Sequence, residues 1–173
     1  MTQQDINELE KKANEDNPEA LYELGILHSV NNYYEKGKMM IEEAAERGNE
    51  DAKLWIKTHN TLSEILKKIE HHKLIKVWNI KKGFLSQSFE CSPLEQGSIM
   101  IFINKTTCSE FKNIHVEMIK EEYFHTMLDL WKAYAEGKIP LNEIKPTRNA
   151  KYLVSILKYV IEVNKDLKDF HLY

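Results

Sequence analysis

Apolar positions recur every three or four residues through the first third of the chain. Ile6, Leu9 and Ala13 form one stripe. Ala20, Leu21, Leu24, Gly25 and Leu27 form a second, Tyr34, Gly37, Ile41, Ala44 and Ala45 a third, and Ala52, Trp55 and Ile56 open a fourth. This is the spacing of a single buried helix face. The breaks between stripes carry helix punctuation. Asn17-Pro18 reads as a start, because Asn accepts from a free backbone N–H and Pro needs no donor in the first turn. Asn31-Asn32 reads as a turn, Gly48 as the left-handed residue after a helix, and Asn49 as the next cap. Ala13, Ala20, Gly25, Ala44, Ala45 and Ala52 are small enough to let antiparallel helices approach closely.

Beyond residue 60 the pattern changes. Thr61-Leu62-Ser63-Glu64 has the spacing of a capping box and predicts a new helix start, with Leu62, Ile65, Leu66 and Ile69 as its apolar face and His71-His72-Lys73 at its end. Residues 74–80 are rich in strand formers, Lys81-Lys82-Gly83 predicts a turn, and residues 84–89 pair back as a hairpin. Residues 98–103 form a short apolar run, a buried strand. Ile114, Val116 and Met118 alternate with His115 and Glu117, which predicts a half-exposed strand. Tyr123 to Glu136 returns to helix with Tyr123, Met127, Leu130, Trp131 and Tyr134 on one side, and Gly137 ends it. Asn149 is placed to cap a last helix carrying Tyr152, Leu153, Ile156, Leu157, Val160 and Ile161. The expected class is α+β: helical hairpins in residues 1–60, packed on a small antiparallel sheet with C-terminal helices in residues 61–173.

The first region also repeats itself. An offset of thirty-two residues lays Leu9-Glu10-Lys11-Lys12-Ala13 over Ile41-Glu42-Glu43-Ala44-Ala45, Asn17 over Asn49, Ala20 over Ala52 and Leu24 over Ile56. Periods of roughly 20–50 residues mark stacked helical units. Asn17, Ala20, Leu24-Gly25, Tyr34, Ala44-Ala45, Gly48-Asn49 and Ala52 together resemble the Sel1-like repeat, a relative of the tetratricopeptide repeat. The resemblance covers residues 5–58, about one and a half units. It departs from the family where Ser29-Val30-Asn31-Asn32 replaces a glycine-rich turn and where His28 stands in place of an aromatic. It implies a scaffold whose concave face holds a protein partner. Residues 61–173 resemble no family.

Charge sharpens this picture. Residues 1–56 hold thirteen Asp/Glu against six Lys/Arg, a balance of −7, so the chain total of −3 leaves +4 for residues 57–173. Residues 57–82 carry seven Lys against Glu64 and Glu70. Such asymmetry speaks of partners and not of fold. Hydrophobic content of 42% with 29% charged residues places the chain among globular proteins and not disordered ones. No apolar run approaches the roughly 18 residues of a membrane span. The start, Met1-Thr2-Gln3-Gln4-Asp5, lacks the basic and apolar regions of a signal peptide, and the two cysteines lack metal or redox spacing, so a cytoplasmic protein with reduced thiols is expected. All but Arg47 and Arg148 of the basic residues are Lys, and Ile and Asn are abundant, which points to an AT-rich, bacterial coding sequence.

Candidate chemistry is sparse. Glu121 and His125 share a helix face at i, i+4, with His115 and Glu117 upstream, but no HExxH or HxH pattern completes a metal site. His71-His72 are adjacent and diverge on a helix. Cys108 lies near His115 and Cys91 near Ser92, neither in a nucleophile-elbow context. Six scattered glycines make no phosphate cradle. No catalytic, metal or cofactor-binding residue is therefore assigned, and no cofactor or small-molecule substrate is expected. The expected function is non-catalytic protein binding: a bacterial immunity protein that neutralises a cognate toxin by steric occlusion, its partner a basic toxin domain. The docking face is assigned to Glu15, Asp16, Glu19, Tyr22, Glu23, Tyr34, Glu42, Glu43 and Glu46, carboxylates with tyrosine anchors. Three alternatives stand beside it. One is a general Sel1-like adaptor. Another is a nucleic-acid-binding regulator using Lys67, Lys68, Lys73, Lys76, Lys81 and Lys82, with Trp78 stacking on a base. The third is an enzyme of unrecognised type built on the α+β half.

Overall fold

The computed structural model describes residues 3–31, 33–94, 97–105, 113–164 and 167. The fold is α+β. The helices are α1 (Gln3–Asn14), α2 (Pro18–Val30), α3 (Tyr34–Glu46), α4 (Glu50–Lys67), α5 (Glu121–Asp129), α6 (Trp131–Ala135) and α7 (Ala150–Val163), and the strands are β1 (Lys73–Asn79), β2 (Gly83–Pro93), β3 (Ile99–Lys105) and β4 (Asn113–Ile119). The chain divides into two compact units, Met1–Asn60 and Thr61–Tyr173, and the division falls inside α4.

The first unit is built from short-range signals. Asn17 Oδ1 accepts from the Ala20 N–H at 3.0 Å, and Asn49 Oδ1 does the same for Ala52 at 2.7 Å. Gly48 takes φ +96°, the left-handed conformation that ends α3. Helices α2 and α3 meet at two glycines. A Cβ on Gly37 would overlap the Gly25 carbonyl and come within 2.6 Å of Ser29 N, and one on Gly25 would come within 2.6 Å of Ile41 Cγ1. Ala13, Ala20, Leu21, Leu24, Ile41, Ala44, Ala45, Ala52 and Trp55 form the core of this unit.

The second unit packs α5, α6 and α7 on one face of an antiparallel meander in the order β1-β2-β3-β4. Ile75, Val77, Phe89, Cys91, Ile99, Ile101 and Ile119 face this core. Strand β1 is held to α7 through its backbone: the Trp78 N–H donates to Ser155 Oγ at 2.9 Å, where the register shifts between Lys76 and Trp78.

Two expectations are corrected. Thr61 does not begin a helix, because α4 runs unbroken from Glu50 to Lys67. Ala52, Trp55, His59, Leu62 and Leu66 follow one another at alternating spacings of three and four, so the buried stripe never leaves phase, and all five are buried. Strand β4 is half-exposed: Val116 and Met118 are 49% and 53% exposed, while Ile119 is buried and Glu117, opposite Ile101, keeps only 13% of its side chain exposed, paired to Arg148 at 2.8 Å. A one-residue phase decides the face of a whole strand, and Ile119 sets it. Asn149 stands at the start of α7, but its side chain makes no capping bond, and its Oδ1 is buried without a partner among the described residues.

Candidate functional site

The nine residues assigned to the docking face all belong to the first unit, whose residues 1–60 hold thirteen acidic against seven basic side chains, a balance of −6. Glu15, Asp16, Glu19, Glu23, Glu42, Glu43 and Glu46 are all exposed. They differ in how far they are neutralised. Arg47 binds both Asp16 and Glu43. Lys11 and Lys38 stand 3.9 Å from Glu15 and Glu42, at the limit of an ion pair. Glu19, Glu23 and Glu46 have no ion pair among the described residues. Tyr22 and Tyr34 are half-buried and pack on the core of the unit, with the Tyr34 ring 6.4 Å from Trp55. A tyrosine held in this way presents an edge to a partner at little entropic cost.

Among the described residues, two grooves on this unit bear on the docking face. One, of about 460 Å³, lies along α1 and α2 and is lined by Asp5, Glu8, Leu9, Lys12 and Glu23. Lys12 and Glu8 are bonded there at 2.8 Å, which holds the Glu8 carboxyl below and the Lys12 ammonium above their usual ranges. The other, also of about 460 Å³, is lined by Glu10, Ala13 and Asn14 of α1, Leu21, Leu24 and His28 of α2, and Lys36, Met40 and Glu43 of α3, together with Arg47. Burial, and then the Lys36 charge, push the His28 imidazole below its usual pKa, and its buried Nε2 has no hydrogen-bond partner among the described residues. Glu10, Asn14, Lys36 and Met40 escaped the reading of the sequence. Their signal was the pairing of Glu10 with Asn14 and of Lys36 with Met40 at i, i+4, each pair flanking an apolar stripe.

In the second unit Glu121 and His125 do meet. His125 is buried, its Nε2 3.6 Å from Glu121 Oε1 and 3.2 Å from Ser63 Oγ. The imidazole holds the Glu121 carboxyl below the usual range; burial opposes this and Ser63 adds to it. Gly97, at φ +77°, leaves the space that the carboxylate fills. Serine and acid approach the same ring nitrogen, so this carboxylate does not stand on Nδ1 to orient the ring as an acyl-transfer triad requires. Among the described residues no group of three or more His, Cys, Asp or Glu side chains is placed to hold a metal ion. Cys91 is buried, and its thiol is pushed up to about 12; Cys108 lies outside the described residues, as do the side chain of His115 and the turn residue Asn32.

The basic run is dispersed over the end of α4, β1 and the following turn. Lys67 and Lys68 lie 3.6 and 3.8 Å from Glu64, and Lys73 lies 3.0 Å from Glu70. Trp78 is not placed to stack on a base: its ring stacks on Trp131 at 5.7 Å, and Lys158 sits over it at 5.3 Å. No described helix is long and apolar enough to cross a membrane. No family model matches the chain, nor does any curated protein or any solved structure.

Proposed function

We propose that this chain is a non-catalytic protein-binding protein of the bacterial cytoplasm, an immunity protein that neutralises a basic toxin domain by covering its active surface. The observation that carries this reading is the set of exposed carboxylates on the first unit, of which Glu19, Glu23 and Glu46 have no ion pair among the described residues. Charges that the protein leaves unpaired raise the rate and fix the orientation of encounter with an oppositely charged surface. The half-buried rings of Tyr22 and Tyr34 supply contact area beside them. The Sel1-like resemblance supports the same assignment, as a scaffold that presents helices to a partner. Inhibition is steric and needs no turnover.

The test is co-expression with the product of the adjacent gene. The expected outcome is a complex that survives purification, protection of the host cell, and binding that weakens with salt. Reversing Glu19, Glu23 and Glu46 to Lys together is expected to slow association about tenfold or more while the fold is retained. Absence of both complex and protection ends the immunity reading.

A further inference from the structure

We propose that the groove among α1, α2 and α3 holds an extended segment of a partner polypeptide, one that sets an acidic and a basic side chain around a small or aliphatic residue. This rests on the protein-binding reading of the first unit and names what the unit grips.

The groove is selective because its groups are unequally satisfied. Glu43 is paired with Arg47, which also binds Asp16. Glu10 and Lys36, on α1 and α3, have no ion pair among the described residues, although both act on the charge of His28. An unpaired anion and an unpaired cation in one groove are complementary to a ligand carrying both signs. The exposed Asn14 carboxamide has no hydrogen bond among the described residues. It offers one donor side and one acceptor side, the complement of a peptide group. The floor is aliphatic, formed by the buried Leu21 and Leu24, and is matched to a small or aliphatic side chain. A volume of about 460 Å³ falls within the usual range of binding clefts. The carboxylates of Glu10 and Glu43 disfavour a phosphate backbone.

The experiment uses the full chain, wild type and the double variant Glu10→Lys/Lys36→Glu, panned against the same random peptide library. The wild type is expected to enrich peptides with an acid and a base at fixed spacing around a small or aliphatic residue. The double variant is expected to enrich the reverse order and to lose at least about tenfold in affinity for the wild-type peptide. Asn14→Ala, an exposed change, is expected to weaken the same peptide several-fold with the charge order unaltered. In amide spectra the peptide should shift resonances of α1, α2 and α3. A library with no shared motif, a motif that the charge reversal leaves unchanged, or shifts confined to other elements overturns the proposal. A toxin neutralised equally by wild type and double variant removes the groove and leaves the acidic face standing. A toxin that neither binds removes the immunity reading, and the peptide result then stands or falls by itself.

Discussion

The two units solve the same packing problem over different distances. In the first, each decisive interaction links residues close in sequence: Asn17 to Ala20, Asn49 to Ala52, and the Gly25–Gly37 approach between neighbouring helices. In the second, the decisive interactions join distant residues: the Trp78 backbone to Ser155, the Ser63 hydroxyl to His125, and Glu117 to Arg148. Their surfaces differ as well. The first unit carries an excess of exposed carboxylates, beside the exposed Tyr33 and Met39. The second leaves Leu74, Val116 and Met118 on the outer side of its sheet, 64%, 49% and 53% exposed. Short-range order ties each signal to a side chain that can be removed without touching the rest. Long-range order makes each polar contact a joint between elements.

The largest test of this contrast is at Gly37. Its substitution by Ala pushes a methyl into the backbone of α2, which has no side chain to swing aside. The expected loss is about 3 kcal/mol, the upper part of the overpacking range. Gly48→Ala meets open space and suffers only the left-handed backbone, about 1 kcal/mol. Urea denaturation of both variants decides the matter: equal losses would mean that the close approach of α2 and α3 contributes nothing beyond backbone strain.

The joint in the second unit comes next. Ser155 Oγ accepts from the Trp78 N–H and donates to the Lys151 carbonyl at 2.5 Å. Ser155→Ala leaves that N–H without its partner at a fully buried position, with an expected loss of about 2 kcal/mol. Slowed exchange of the Trp78 amide in the wild type, and its acceleration in the variant, would locate the effect on β1. Unchanged stability would show that the irregularity in this strand is held by packing alone.

These cases also show what was legible in the sequence. Caps, the left-handed glycine and the stripes of α1 to α3 could be read because each signal and its partner lie within one helical turn. The α+β class and the hairpin at Gly83, which takes φ +67°, could be read for the same reason. The inward charge of Glu117 could not, because its partner Arg148 is thirty-one residues away and the alternation of β4 fits either phase. The capping-box pattern at Thr61 misled because a polar residue preceding an apolar run looks alike at a helix start and on the outer face of a long helix. The groove was hidden because its floor and rim come from three helices, and no single stripe contains it.

The caps supply a sharper comparison of smaller size. Asn49 and Asn149 occupy the same formal position before a helix, one in each unit. Asn49 bonds the Ala52 N–H, so Asn49→Ala is expected to cost about 1 kcal/mol. Asn149 makes no such bond and buries an Oδ1 without a partner among the described residues, so Asn149→Ala is expected to be neutral or mildly stabilising. Thermal melts suffice. A loss at Asn149 equal to that at Asn49 would show that the second unit draws on its local signal after all.

The smallest effect is a pH dependence in the second unit. The folded Glu121 carboxyl titrates below its usual range because of His125, with Ser63 helping and burial opposing. A carboxyl depressed on folding binds fewer protons in the native state than in the unfolded chain. Its contribution is therefore present in full above the unfolded value, near 4.5, and disappears as pH falls through the lower folded value. A quarter of the side chain meets solvent, so screening keeps the gain under about 1 kcal/mol. Glu121→Gln removes it. The expected result is a stability gap between wild type and variant that is constant from pH 7 to about pH 5 and closes on further acidification. A gap that persists to pH 2 would assign the loss to the shape of the site around Gly97 and not to charge, and the joint between α4 and α5 would then be one of packing.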